Sequence, residues 1–239
     1  MSWLTRLFRP HVELPAGYAQ RLDAWRELPA VSEKQALTQA RFIVVDVETS
    51  GLDTRKDRLL SIGACVVEAQ RVCAGENYAT ILRRDEASAR DNILIHGIGP
   101  QAQAAGRPPE ESLMQFLEFT GKHTLVAFHA GFDQAMLDRD LRETLGVRLP
   151  NPWLDLALLA PALVPGARLP HASLDDWLGY FGLRAGARHR AVDDAFVTAE
   201  LFLVLLARAR ARELSTVSML HAVCEQQARL VPGGGAGGA

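Results

Sequence analysis

The stretch FIVVDVETSGLD, residues 42–53, decides how the rest of the chain is read. Phe42 to Val45 are apolar and run straight into Asp46 and Glu48, with only Val47 between the two acids. An apolar run without alternation fits a strand covered on both faces. Alternate side chains of a strand share a face, so Asp46 and Glu48 point the same way. A buried carboxylate is costly, and two on one face repel. The pair makes physical sense where a cation sits between the acids, or where the strand ends in water. Thr49, Ser50, Gly51 and Leu52 follow. A small, glycine-containing turn of this kind lets backbone N–H groups approach a phosphate or sugar closely.

Two further stretches repeat the theme. In VAFHAGFD, residues 126–133, a strand ends at His129, a small-residue turn follows, and Asp133 opens a helix. In HRAVDDA, residues 189–195, His189 precedes a long helix whose first turn holds Asp194. Its neighbour Asp193 is assigned to solvent or to capping. Each stretch alone has a plain explanation, because an Asp in a first helical turn favours the helix dipole. Together they place four carboxylates at strand ends or helix starts, each after an apolar run. Gathered in one cleft, they require cations. Oxygen donors without thiolates favour Mg²⁺ or Mn²⁺. Two such ions about 3.5–4 Å apart suit in-line phosphoryl displacement. A histidine, with a reference pKa of about 6.5, suits removal of a proton from water.

DVETSGLD, HAGFD and HRAVDDA resemble the three motifs of the DEDDh 3′–5′ exonucleases, a family that includes the epsilon proofreading subunit of bacterial DNA polymerase III. The resemblance runs over about residues 41–210, and IHGIG (95–99) and HASLDDW (171–177) resemble stretches between those motifs. It implies an α/β, ribonuclease H-like fold with a mixed five-stranded sheet flanked by helices. It implies two divalent ions held by Asp46, Glu48, Asp133 and Asp194, with Asp46 bridging both and His189 as general base. Thr49, Ser50, Gly51 and Leu52 would grip the terminal 3′ nucleotide, and His96, Gly97 and Ile98 lie where family members contact substrate. One position departs from the pattern: His129 stands where the family commonly has asparagine, four residues before the second-motif aspartate. The implied reaction is hydrolysis of the terminal phosphodiester of single-stranded DNA, releasing nucleoside 5′-monophosphates. The alternatives are an exoribonuclease acting on RNA 3′ ends or short RNA, and a non-catalytic binding or adaptor module. Retention of all four acids and His189 argues against the last. Arg55, Lys56, Arg58, Arg184, Arg188 and Arg190 flank the motifs as candidate phosphate contacts.

Bulk properties set the frame. The chain has 239 residues, 48% of them apolar, and a formal charge of −2. Coating nucleic acid by net charge is excluded, while a local basic groove is not. Three cysteines without C-x-x-C spacing fit a reducing cytoplasm, and no apolar run has membrane-spanning length. Residues 1–40 read as a helical extension. Tyr18, Leu22, Trp25 and Leu28 form its stripe, a second short helix begins near Ser32, and it is a candidate surface for a partner or for self-association. Residues 41–212 read as the exonuclease domain, 213–229 as a C-terminal helical segment and 230–239 as a flexible Gly/Ala tail. That tail offers no docking helix, so the expectation is a relative of the replicative subunit rather than that subunit itself.

Overall fold

The computed structural model describes residues 14, 17–85, 88, 90–169, 171–184 and 190–230. Five strands make one sheet: β1 (Arg41–Thr49), β2 (Leu59–Glu68), β3 (Arg71–Ile81), β4 (Thr124–Ala127) and β5 (Trp153–Asp155), in the order β3-β2-β1-β4-β5. β1 pairs antiparallel with β2 and parallel with β4, so the sheet is mixed. The helices are α1 (Tyr18–Glu27), α2 (Arg90–His96), α3 (Pro100–Ala104), α4 (Pro109–Thr120), α5 (Ala130–Leu145), α6 (Leu156–Leu163), α7 (Leu174–Phe181), α8 (Ala191–Arg210) and α9 (Val217–Leu230). None of the described helices is long and apolar enough to cross a membrane. Cys65, Cys73 and Cys224 are free thiols.

The continuous apolar run of β1 is explained by its two covered faces. Phe42 and Val44 pack with Phe202, Leu205 and Trp177 in a core under α6, α7, α8 and α9. Ile43, Val45 and Val47 pack with Phe116, Met136 and Leu137 in a second core under α4 and α5. Asp46 and Glu48 continue the first set, so they emerge on the α8 side. β4 has four residues against nine in β1, and it pairs with Phe42 to Val44 only. The last residues of β1 therefore project past β4 at its C-terminal end.

Local signals account for most boundaries. Ala69 and Gln70 both have positive φ, the conformation that a tight two-residue hairpin between β2 and β3 demands. Ser173 and Asp176 form a reciprocal capping box on α7, and left-handed Gly182 ends that helix. Gly146 closes α5 in the same way.

Four expectations are corrected. The second helix expected from Ser32 is a series of turns: the backbone of Glu33, Gln35 and Leu37 is bonded instead to Ser218, Val217 and Ser215, clamping this segment to the start of α9. The region around IHGIG, which reads as a loop from its glycines and Pro100, holds α2 and α3, of seven and five residues. Helices so short show no two-turn periodicity in sequence. The stretch Pro161–Leu163, where the proline reads in sequence as the start of a loop, completes α6. Leu28, expected on the buried stripe of α1, lies just past its end and is exposed. Leu22 and Trp25 are buried, and Arg21 forks to Glu111 (2.8 Å) and Glu118 (2.7 Å) on α4.

One close approach sets the position of α8. A Cβ on Gly63 of β2 would lie 2.1 Å from the carbonyl carbon of Ala191 and 2.1 Å from the nitrogen of Val192, both backbone atoms. Backbone cannot turn aside as a flexible side chain can. Gly63→Ala therefore forces the first turn of α8 off the sheet. The expected cost is about 1–3 kcal/mol, seen as a fall in the thermal unfolding midpoint of several degrees for a domain of this size. An unchanged midpoint would show that the contact is looser than described.

Candidate active site

Three carboxylates meet where β1 ends. Asp46, Glu48 and Asp194 each offer an oxygen, and these oxygens all lie within 4.8 Å of one another. The convergence follows from the fold. Asp46 and Glu48 share the α8 face of β1, Gly63 is the β2 partner of Asp46, and α8 begins directly against Gly63. Asp194 lies in the first turn of α8 and is 5% exposed. Asp193 turns aside to an ion pair with Arg190 at 3.4 Å. Three hard oxygen donors without a thiolate fit a hard divalent cation, and their mutual repulsion calls for one.

Asp133 stands apart from that trio. It lies in the first turn of α5, which packs on the opposite face of the sheet, and it is buried. Because β4 is short, the backbone of Val47 is left without a β4 partner, and the Asp133 carboxylate bonds to it. Burial pushes the Asp133 carboxyl up to about 8, and the nearby Asp155 and Glu48 charges push the same way.

The turn entering α5 is held by Asp155. One of its oxygens, Oδ1, accepts from the backbone N–H of His129 and that of Ala157, both at 2.9 Å. Asp155 thereby caps α6 and fixes His129, which is left-handed at φ 62°. The His129 ring lies edge-on to Phe128 at 4.9 Å. Burial also raises the Asp155 carboxyl, with the hydrogen bonds to Ala157 and His129 opposing it.

The loop after Glu48 is built around Asp57. Its carboxylate accepts from the Ser50 hydroxyl (2.9 Å) and the Asp53 N–H (2.8 Å). A Cβ on Gly51 would lie 2.5 Å from Asp57 Oδ2, so a larger residue there would push the Asp57 carboxylate off its partners. Thr49 donates to the Gly51 carbonyl, Asn92 of α2 donates to the Ser50 carbonyl, and Arg139 of α5 donates to the carbonyls of Thr54 and Asp57. Leu52 is left at the tip, 85% exposed. His96 is buried, and its Nδ1 accepts from the Ile98 N–H at 3.0 Å. Burial lowers its pKa, and it lines a cavity of about 280 Å³ with Ser61 and Arg190. His189 lies outside the described residues.

Asp57, Gly63, Asn92 and Asp155 are the positioning residues that the motif reading missed. Asp155 carried a usable signal, an aspartate directly before an apolar helical run. Gly63 carried none, since the helix that touches it is 128 residues away in sequence (Gly63 to Ala191).

A mixed sheet in this strand order, with acids at the end of its central strand and in the first turns of two flanking helices, defines the nuclease fold related to ribonuclease H. The chain belongs to the exonuclease family of the RNase T type, whose profile matches residues 43–202. It is 32% identical over 173 residues to the PolC-type DNA polymerase III of Thermotoga maritima, which covers 72% of this chain. The chain spans only 12% of that polymerase's length. It is 30% identical over 171 residues to the DNA polymerase III subunit epsilon of Aquifex aeolicus, covering 71% of this chain and 82% of that subunit. Among solved structures, E. coli Exonuclease I in complex with a dT13 oligonucleotide superposes with a TM-score of 0.62 at 20% identity, over 72% of this chain and 42% of that one. Exonuclease X in complex with 5′ overhanging duplex DNA gives 0.61 at 20% identity, over 77% and 99%.

Two outcomes are expected from this geometry. The folded Asp133 carboxyl lies near 8, against about 3.9 when unfolded. The native state therefore binds the extra proton in that window, and the stability of chelator-treated protein falls as pH rises from about 4 to 8. Asp133→Asn should flatten the profile, as read by chemical denaturation at several pH values; a slope that survives would place the titrating group elsewhere. Asp155→Ala removes the acceptor of the α6 cap, shared by two backbone N–H groups, and should cost about 0.5–2 kcal/mol. Asp155→Asn, which keeps an acceptor oxygen, should recover most of it in the same measurement.

Proposed function

We propose that the chain is a 3′–5′ exonuclease that hydrolyses the terminal phosphodiester of single-stranded DNA, with residues 41–212 as the catalytic unit. The observation that carries this reading is the meeting of Asp46, Glu48 and Asp194 at the end of β1. The DNA-bound state of Exonuclease I and Exonuclease X, both of the same fold, favours DNA as the substrate class.

Asp46, Glu48 and Asp194, with Asp133 in support, would hold two divalent cations, Mg²⁺ or Mn²⁺ by the hardness of the donors. When bound, such ions supply positive charge against the phosphate and acidify water. The rest falls to the chain itself. The loop Thr49–Leu52, pinned by Asp57, Asn92 and Arg139, receives the 3′ nucleotide on a rigid backbone. Exposed Leu52 offers an apolar surface to a base. The N-terminus of α8 and Arg190 favour an anionic phosphate beside Asp194. His189 takes the proton of the attacking water, and the departing fragment is a nucleoside 5′-monophosphate. Positioning and charge compensation supply most of the acceleration.

The test is digestion of 5′-labelled single-stranded DNA, and of RNA of the same sequence, with Mg²⁺, with Mn²⁺ and with chelator. The DNA should shorten stepwise from its 3′ end only when a cation is present, and RNA should be cut more slowly. Asp46→Ala and His189→Ala should each lower the rate by about a hundredfold or more. Wild-type turnover by Asp46→Ala, or early release of the 5′ label as a mononucleotide, would overturn the assignment; faster digestion of RNA would overturn its substrate.

A further inference from the structure

A second concavity opens at the same end of the sheet. It has a volume of about 320 Å³ and is lined by His129, Asp155, Leu158, His171, Trp177 and Gln227, among others. His129 follows β4, Asp155 ends β5, and Trp177 comes from α7 on the α8 side of the sheet. The cavity thus flanks the three carboxylates on the side opposite His96. We propose that it accepts a nucleobase of the substrate strand, upstream of the scissile phosphate; this rests on the exonuclease reading and adds a subsite to it.

The lining has the chemistry of a base pocket. Trp177 is 1% exposed and forms an apolar floor with Leu158. Two imidazoles, His129 and His171, stand at exposed positions, and rings of this kind stack on any base. Both histidines have left-handed backbones, at φ 62° and 56°, a conformation uncommon for residues other than glycine. Gln227, half-buried on α9, brings an amide that can both donate to and accept from a base edge. The described lining includes no lysine or arginine, while it does include the Asp155 carboxylate. A phosphate would be repelled there, and a neutral heteroaromatic ring would not. A few convergent polar groups over an apolar floor are the usual make-up of an organic-ligand site of this size.

Distance fits as well. Two strand spacings, about 10 Å, separate the end of β5 from that of β1. At about 3.4 Å per stacked nucleotide, the base concerned is roughly the second to fourth from the 3′ end.

The test uses 5′-fluorescein single-stranded DNA carrying one abasic residue at each of the last six positions in turn. Binding to the full chain is read by anisotropy with EDTA present, and cleavage is read separately with Mg²⁺. For the wild type, an abasic residue at one of the second to fourth positions should weaken binding about tenfold. In His171→Ala/Gln227→Ala the intact strand should bind about tenfold more weakly, and the abasic residue should have no further effect. His171→Phe, which keeps a stacking ring, should behave as wild type while His171→Ala does not; this pair suffices if the double variant unfolds. Equal responses of wild type and His171→Ala to every abasic position would overturn the proposal. So would adenosine 5′-monophosphate alone binding in a His171-dependent manner while strand binding ignores the abasic positions. Position-dependent binding without cleavage would instead sink the catalytic reading and leave the subsite standing. Cleavage without position dependence would do the reverse.

Discussion

The contact between the middle of β2 and the first turn of α8 governs where the carboxylates fall. Helices normally ride about 10 Å from a sheet, held off by side chains on both surfaces. At Gly63 the helix backbone rests against the strand backbone instead. Asp46 is the cross-strand neighbour of Gly63, so the same contact carries the start of α8 to the acid-bearing end of β1. Asp194, one turn inside the helix, then meets Asp46 and Glu48. A bulkier residue at 63 would leave Asp46 and Glu48 together on β1 and carry Asp194 away from them.

The opposite face uses a different device. β4 stops early, and the freed edge of β1 is taken by the Asp133 carboxylate through Val47. A side chain thus continues the pairing that the strand abandons. Asp155 ties the ends of β4 and β5 together beneath this arrangement, since one oxygen serves both the α5 turn and the α6 cap. Two helices on opposite faces, each with an aspartate in its first turn, are in this way aimed at one strand end.

The parts legible in sequence were those written locally. The apolar run of β1, the hairpin at Gln70, the cap at Ser173 and the stops at Gly146 and Gly182 each carry their own signal within a few residues. The acids of the candidate site were legible for the same reason: each sits at an element boundary, at the end of β1 or in the first turn of α5 or α8. What stayed hidden depends on residues far apart. The turn region after Ser32 carried a helix-start signal, yet its backbone is spent on the segment before α9. Asp57 looks like one more loop acid until its bonds to Ser50 and Asp53 are seen. The periodicity of NPWLDLALLA (151–160) does not decide between a strand and a helix start, because the stretch holds three residues of β5 and then α6, joined at an aspartate that ends one and caps the other.

Magnitudes decide what this end of the sheet requires. Each helix N-terminus offsets a nearby negative charge by about 0.3–1 kcal/mol. Two like charges about 4 Å apart repel by about 4 kcal/mol at the effective dielectric of a partly buried site. Three carboxylates within 4.8 Å contain three such pairs, so the dipoles of α5 and α8 cover only a fraction of the repulsion. Protonation can relieve part of it; the raised Asp133 carboxyl, outside the trio, owes its shift first to burial and only then to the nearby Asp155 and Glu48 charges. Divalent cations would relieve it while leaving the oxygens ionised. The cost of assembling the acids would then be returned as affinity for the ions, and the contacts at Gly63, Asp57 and Asp155 keep the acids from relaxing apart in the meantime.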